Sequence, residues 1–101
     1  MSDFDLVIRN GTVVTAADTT ACDIGIKDGL VVMLGRNLGP GAREIDAKDR
    51  LLLPGGIDSH CHIEQRSSAV VVCADDFYSA TVSAAFGGTT TVIPFAAQHR
   101  G

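Results

Sequence analysis

With 101 residues, the chain has room for at most one ordinary domain and a modest core. Eight Lys and Arg against twelve Asp and Glu give a net charge of −4 and a pI near 5.1, with no basic run to meet nucleic acid or an anionic membrane. A composition 46% hydrophobic and 20% charged excludes a disordered or fibrous chain.

The first residues, Met1-Ser2-Asp3-Phe4-Asp5, are acidic, whereas a signal peptide opens with a basic flank and an apolar stretch. No window reaches the roughly eighteen apolar residues of a membrane span. Cys22, Cys61 and Cys73 make an odd set without framework spacing, which points to reduced thiols and a cytoplasmic protein.

Up to Pro54, short β-type runs alternate with turn signals. Asp5–Arg9 leads to Asn10-Gly11 and then Thr12–Thr15, and Cys22–Lys27 leads to Asp28-Gly29 and then Leu30–Leu34. Both dipeptides suit a type I′ hairpin turn, which needs positive φ at its two central residues. Gly35–Arg43 reads as a loop by its Gly and Pro content, and Arg43–Leu53 supplies one or two further short strands. The expectation is an antiparallel sheet of about five strands, too small to close as a barrel.

Beyond Pro54 the pattern becomes β-α-β. Gly56–Ile63 is a short extended run. Asp75 or Asp76 can cap a helix ending near Phe86, with Phe77, Ala80, Ala84 and Ala85 on one face and Gly87-Gly88 as the stop. Thr89–Phe95 is a β-branched strand with an apolar end. Strand, crossover helix and second strand form the unit of parallel α/β folds. One such unit cannot cover both faces of a parallel sheet, so the chain is expected to be the leading piece of something larger. There is no internal repeat and no low-complexity segment.

His60 and His62 carry the chemistry. On a strand, residues two apart share a face, so both imidazoles project together while Cys61 turns away. Neutral imidazole is a common ligand for zinc and related metals. Asp58 falls on the same face and could orient a histidine or lie near the metal. An isolated His-x-His pair is usually accidental, and two ligands are fewer than the three of a catalytic zinc site. The pair gains meaning from what surrounds it.

The segments DLVIRNGTVVT, DIGIKDGLVVMLG, LLLPGGIDSHCHIE and DDFYSATVSAAFGGTTTVIPFA together resemble the start of a cyclic amidohydrolase, in the hydantoinase and dihydropyrimidinase branch. The resemblance runs from about Asp5 to Phe95. Its most specific parts are Pro54-Gly55-Gly56-Ile57-Asp58-x-His60-x-His62 and Phe86-Gly87-Gly88-Thr89-Thr90. It implies a TIM-type (β/α)8 barrel accompanied by a small β-sandwich. Residues 1–53 would be the N-terminal part of the sandwich, and 54–101 the first strand-helix-strand of the barrel.

On this resemblance His60 and His62 match metal ligands at the C-terminal end of the first barrel strand, where TIM-barrel sites are built. It implies two metal ions, usually zinc, which lower the pKa of a water and polarise the ring amide of a cyclic ureide or imide. The products would be N-carbamoyl amino acids, and the complete subunit would assemble as a homotetramer. A bridging lysine, two more histidines and a catalytic aspartate would lie beyond Gly101, so no catalytic residue is expected within this stretch. The 101 residues alone are expected to be inactive and marginally folded or self-associating.

Gln65, with Glu64 and Arg66, could touch substrate or form a solvated loop. His99 reads as an exposed loop residue; the alternative is a pocket-lining role shared with Gln98 and Arg100. Ser59, Cys61 and the stretch after the histidines depart from the usual family pattern, which puts the substrate in doubt more than the reaction. A non-catalytic dihydropyrimidinase-like scaffold is the competing reading, and the intact His60-x-His62 pair argues against it.

Overall fold

A computed structural model describes residues 2–98. The backbone divides into two units, Met1–Pro54 and Gly55–Gly101.

The first unit is a five-stranded sheet made of β1 (Phe4–Val14), β2 (Thr19–Lys27), β3 (Leu30–Gly35), β4 (Gly41–Asp46) and β5 (Leu51–Leu52). The strand order is β3-β2-β1-β4, with β5 also paired to β1. Asp28 and Gly29 take φ of 51° and 75° between antiparallel β2 and β3, as the Asp-Gly dipeptide predicts.

Asn10-Gly11 behaves differently from the expected hairpin turn, because β1 runs straight through it. Asn10 has φ 64° and sits where the β1–β2 register slips between Ile8 and Gly11, so the dipeptide makes a β-bulge. A bulge of this kind needs the same left-handed residue as a type I′ turn, and the local signal cannot separate the two. The Asn10 N–H, freed from the ladder, donates to Asp23 Oδ1 at 3.0 Å. At Gly11 a Cβ would lie 2.6 Å from Leu52 Cδ1, so a larger residue there would push the Leu52 side chain of β5 aside.

The sheet is also mixed and not purely antiparallel. β4 and β5 both pair with β1 in parallel, at Phe4–Arg9 and at Thr12–Val13 respectively. The chain leaves β3, crosses back through residues 36–40 and lays both segments along the free edge of β1. Phe4, Val7, Val13, Cys22 and Ala47 form the core of this unit.

In the second unit, β6 (Gly56–Cys61) and β7 (Thr89–Pro94) pair in parallel, connected through α1 (Phe77–Phe86). The approach to β6 requires Gly55, where a Cβ would meet Thr90 Oγ1 at 1.8 Å. Asp76 is the residue that caps α1. Its side chain accepts the Ser79 N–H at 2.7 Å while Ser79 Oγ accepts the Asp76 N–H at 3.2 Å, a reciprocal capping box. Gly87 closes the helix and Gly88, at φ 85°, turns the chain into β7. Of the expected apolar face, Ala80 and Ala84 are half-buried, whereas Phe77 and Ala85 are exposed. No helix among the described residues is long and apolar enough to cross a membrane.

Candidate metal centre

Parallel pairing puts the C-terminal ends of β6 and β7 side by side, with Cys61 opposite Pro94. The Phe95 N–H donates to the Cys61 carbonyl at 2.9 Å, which extends the pairing by one step and draws Phe95 level with the histidines. His60 and His62 come together there, their ring centroids 5.5 Å apart and their planes at 61°. Phe95 packs on both. Its ring stacks on His62 at 4.7 Å with the planes 5° apart, and it lies tilted against His60 at 4.8 Å. Both imidazoles are exposed.

β6 ends at Cys61, two residues before the expected Ile63, and its register against β7 slips between Asp58 and Cys61. Strict alternation therefore does not run unbroken from Asp58 to His60. Such irregularities re-aim side chains next to functional sites. Asp58 Oδ1 accepts the backbone N–H of His60 at 3.0 Å, so this carboxylate meets the main chain of the histidine segment. Cys61 is half-buried.

After His62 the chain turns through Glu64, which has φ 52°, and returns Gln65 to the histidine. Gln65 Oε1 contacts His62 Nδ1. The following residues close as a small hairpin, with an antiparallel bridge between Arg66 and Val72 and a Ser67 N–H to Val71 carbonyl bond of 2.8 Å. The Gln65 carbonyl accepts the Cys73 N–H at 3.0 Å, and the Glu64 N–H donates to the Asp75 carbonyl at 3.3 Å. An open cleft of about 400 Å³ begins beside this turn, lined in part by Gln65, Arg66, Phe77 and Phe95.

The donor chemistry fits a divalent metal of the zinc type, since two imidazoles converge at the end of a parallel strand pair. Two donors are fewer than the three protein ligands of a catalytic zinc site. Among the described residues, no group of three or more His, Cys, Asp and Glu side chains is gathered where it could hold an ion. Gln98 is exposed after β7, and His99 and Arg100 lie outside the described residues. Sequence reasoning assigned no role to Phe95; the available signal was an aromatic residue one step past the end of the second parallel strand.

These features define the class as far as the described residues carry it: a parallel strand pair whose carboxyl ends present two imidazoles side by side. Over nearly all of its length the chain is similar in sequence and backbone to D-hydantoinases and dihydropyrimidinases. It is 50% identical over 97 residues to the D-hydantoinase of Rhizobium radiobacter, covering 96% of this chain and 21% of that protein. The crystal structure of the dihydropyrimidinase from Brevibacillus agri NCHU1002 superposes with a TM-score of 0.86 at 44% identity, over 94% of this chain and 21% of that one. A more distant structure, the N-acyl-D-glutamate deacylase from Bordetella bronchiseptica complexed with zinc and a phosphonate inhibitor, matches 60% of this chain and 14% of its own. Its TM-score is 0.56 and its identity 30%. The chain thus spans about a fifth of the length of the curated relatives it matches. No family profile matches the chain.

Proposed function

We propose that this chain supplies the first metal-binding segment of a hydantoinase or dihydropyrimidinase-type cyclic amidase. The observation that carries the proposal is the convergence of His60 and His62 at the carboxyl end of parallel β6 and β7, in a sequence half identical to a D-hydantoinase. In this reading β6, α1 and β7 open a (β/α)8 barrel, and the first unit contributes to a β-sandwich. The cofactor is zinc, two ions per complete subunit, in line with the zinc-bound deacylase whose backbone is similar.

His60 and His62 serve as two imidazole donors. Bound there, a divalent metal supplies polarisation of a ring amide carbonyl and a nucleophile drawn from water at neutral pH. Phe95 packs against one flank of both rings. Asp58 anchors the backbone from which His60 projects. Further ligands and a group that moves the proton complete such a site, because a catalytic zinc needs at least three protein ligands. The substrate class is a cyclic ureide or imide, opened to an N-carbamoyl amino acid. The complete protein is a homotetramer, and the three free cysteines of this chain suit the reducing cytoplasm.

The test is made on the full-length gene product. His60→Ala and His62→Ala are each expected to lose stoichiometric zinc and to slow hydrolysis of hydantoin or dihydrouracil by about a thousandfold or more, several kcal/mol of barrier. Unchanged metal content and turnover in both variants would refute the reading.

A further inference from the structure

Two restraints converge on one ring of the imidazole pair. Phe95 stacks flat on His62 and fixes the plane of its imidazole, but stacking leaves the ring free to present either nitrogen-bearing edge. The second restraint chooses the edge: Gln65 Oε1 meets Nδ1. A side-chain carbonyl can only accept, so this arrangement matches the tautomer in which Nδ1 carries the proton and the lone pair resides on Nε2. Gln65 is carried on a backbone that is tied down on both sides. Its backbone carbonyl is tied to Cys73, its neighbour Glu64 is tied to Asp75, and the turn depends on the left-handed conformation of Glu64. The Cys73 thiol adds a 3.7 Å contact to the His62 carbonyl.

We infer that Gln65 is a positioning residue for His62, holding it in the Nδ1–H tautomer so that Nε2 is the nitrogen offered to the metal. This rests on the reading of His60 and His62 as metal donors and assigns Gln65 to the ligand and not to the substrate. Partners of this kind fix ring orientation and raise ligand basicity, and losing one typically weakens metal binding about ten- to a hundredfold.

The experiment uses the metal-free full-length protein labelled with 15N-histidine. The His62 signals, identified by their loss in His62→Ala, are expected to show protonation at Nδ1. An Nε2–H tautomer would overturn the assignment without any change at Gln65. Zinc affinity is then measured by competition with a chelator. Gln65→Leu and Gln65→Met, which remove the acceptor at similar size, are expected to bind zinc about ten- to a hundredfold more weakly. Gln65→Glu, which keeps an acceptor, should remain within a few-fold of wild type. Equal weakening in the Glu, Leu and Met variants would indicate loop packing only and overturn the positioning role. Wild-type affinity in Gln65→Leu, with binding lost in His62→Ala, would overturn it too and leave the metal site standing. Wild-type affinity in His62→Ala would instead overturn the metal site itself.

Discussion

Arg9 ties three segments of the first unit together. Its guanidinium donates to Glu44 through Nε at 2.9 Å and Nη2 at 2.5 Å, to the carbonyls of Leu38 and Gly39, and reaches buried Asp23 at 3.5 Å. The fork-to-carboxylate geometry is the strong, directional form of an ion pair. The Arg9 hydrogen bond, followed by the Gly41 N–H, holds the Glu44 carboxyl down at about 2. A carboxylate with a depressed folded-state pKa stabilises fully above its ordinary value and loses that contribution as the pH falls toward the folded value. The window is therefore about pH 4.5 down to about 2. Acid is expected to loosen the β1–β4 pairing across that range, with hydrogen exchange of the β4 amides rising beyond its intrinsic pH dependence. Glu44→Gln should flatten the response, and added salt should weaken it because the pair is partly exposed. An acid response of the same slope in Glu44→Gln would assign the effect to other groups.

At the scale of elements, α1 shows how local chemistry and tertiary context divide the work. No side chain of the helix is buried among the described residues, so its isolated stability leans on its ends. Asp76 is held below its ordinary pKa first by the Ser79 N–H, as expected of an ionised N-cap. Asp76→Ala is expected to destabilise the helix by about 1 kcal/mol, whereas Asp76→Asn, an equally good cap, should cost little. Hydrogen exchange over Phe77–Phe86 in the full-length protein checks this, and equal protection in the Ala and Asn variants would remove the cap from the account. The helix, its glycine stop, the Asp28-Gly29 turn and the second parallel strand were legible because each follows from a short-range rule. The choice between Asp75 and Asp76 was not, since both carboxylates reach Ser79, Asp75 through the hydroxyl and Asp76 through the backbone. The parallel placement of β4 and β5 leaves no dipeptide signature. The imidazole pair was legible by its spacing, but the Gln65 contact depends on positive φ at Glu64, a conformation uncommon for a residue with a Cβ.

At the scale of the whole chain, the decisive quantity is apolar surface left open. β3 is an edge strand, and Leu30, Val31, Val32, Met33 and Leu34 are all about half exposed or more. In the second unit Ile57 on β6, Ile93 on β7 and Tyr78 and Phe86 on α1 are exposed as well, Phe86 at 91%. An open edge carrying five consecutive apolar residues is a template for pairing with another chain, and patches of this kind mark surfaces that other parts of a protein cover. The relatives this chain matches are about five times its length. Residues 1–101 expressed alone are therefore expected to self-associate or melt broadly, with no hydrolysis of hydantoin or dihydrouracil. Sedimentation velocity over a hundredfold range of concentration is the measurement, read together with thermal unfolding by circular dichroism. A monomer at every concentration with a sharp, concentration-independent melt would show that the exposed faces are tolerated. On the proposed reading, the same β3 and α1 residues of the full-length gene product should instead be protected from covalent surface labelling.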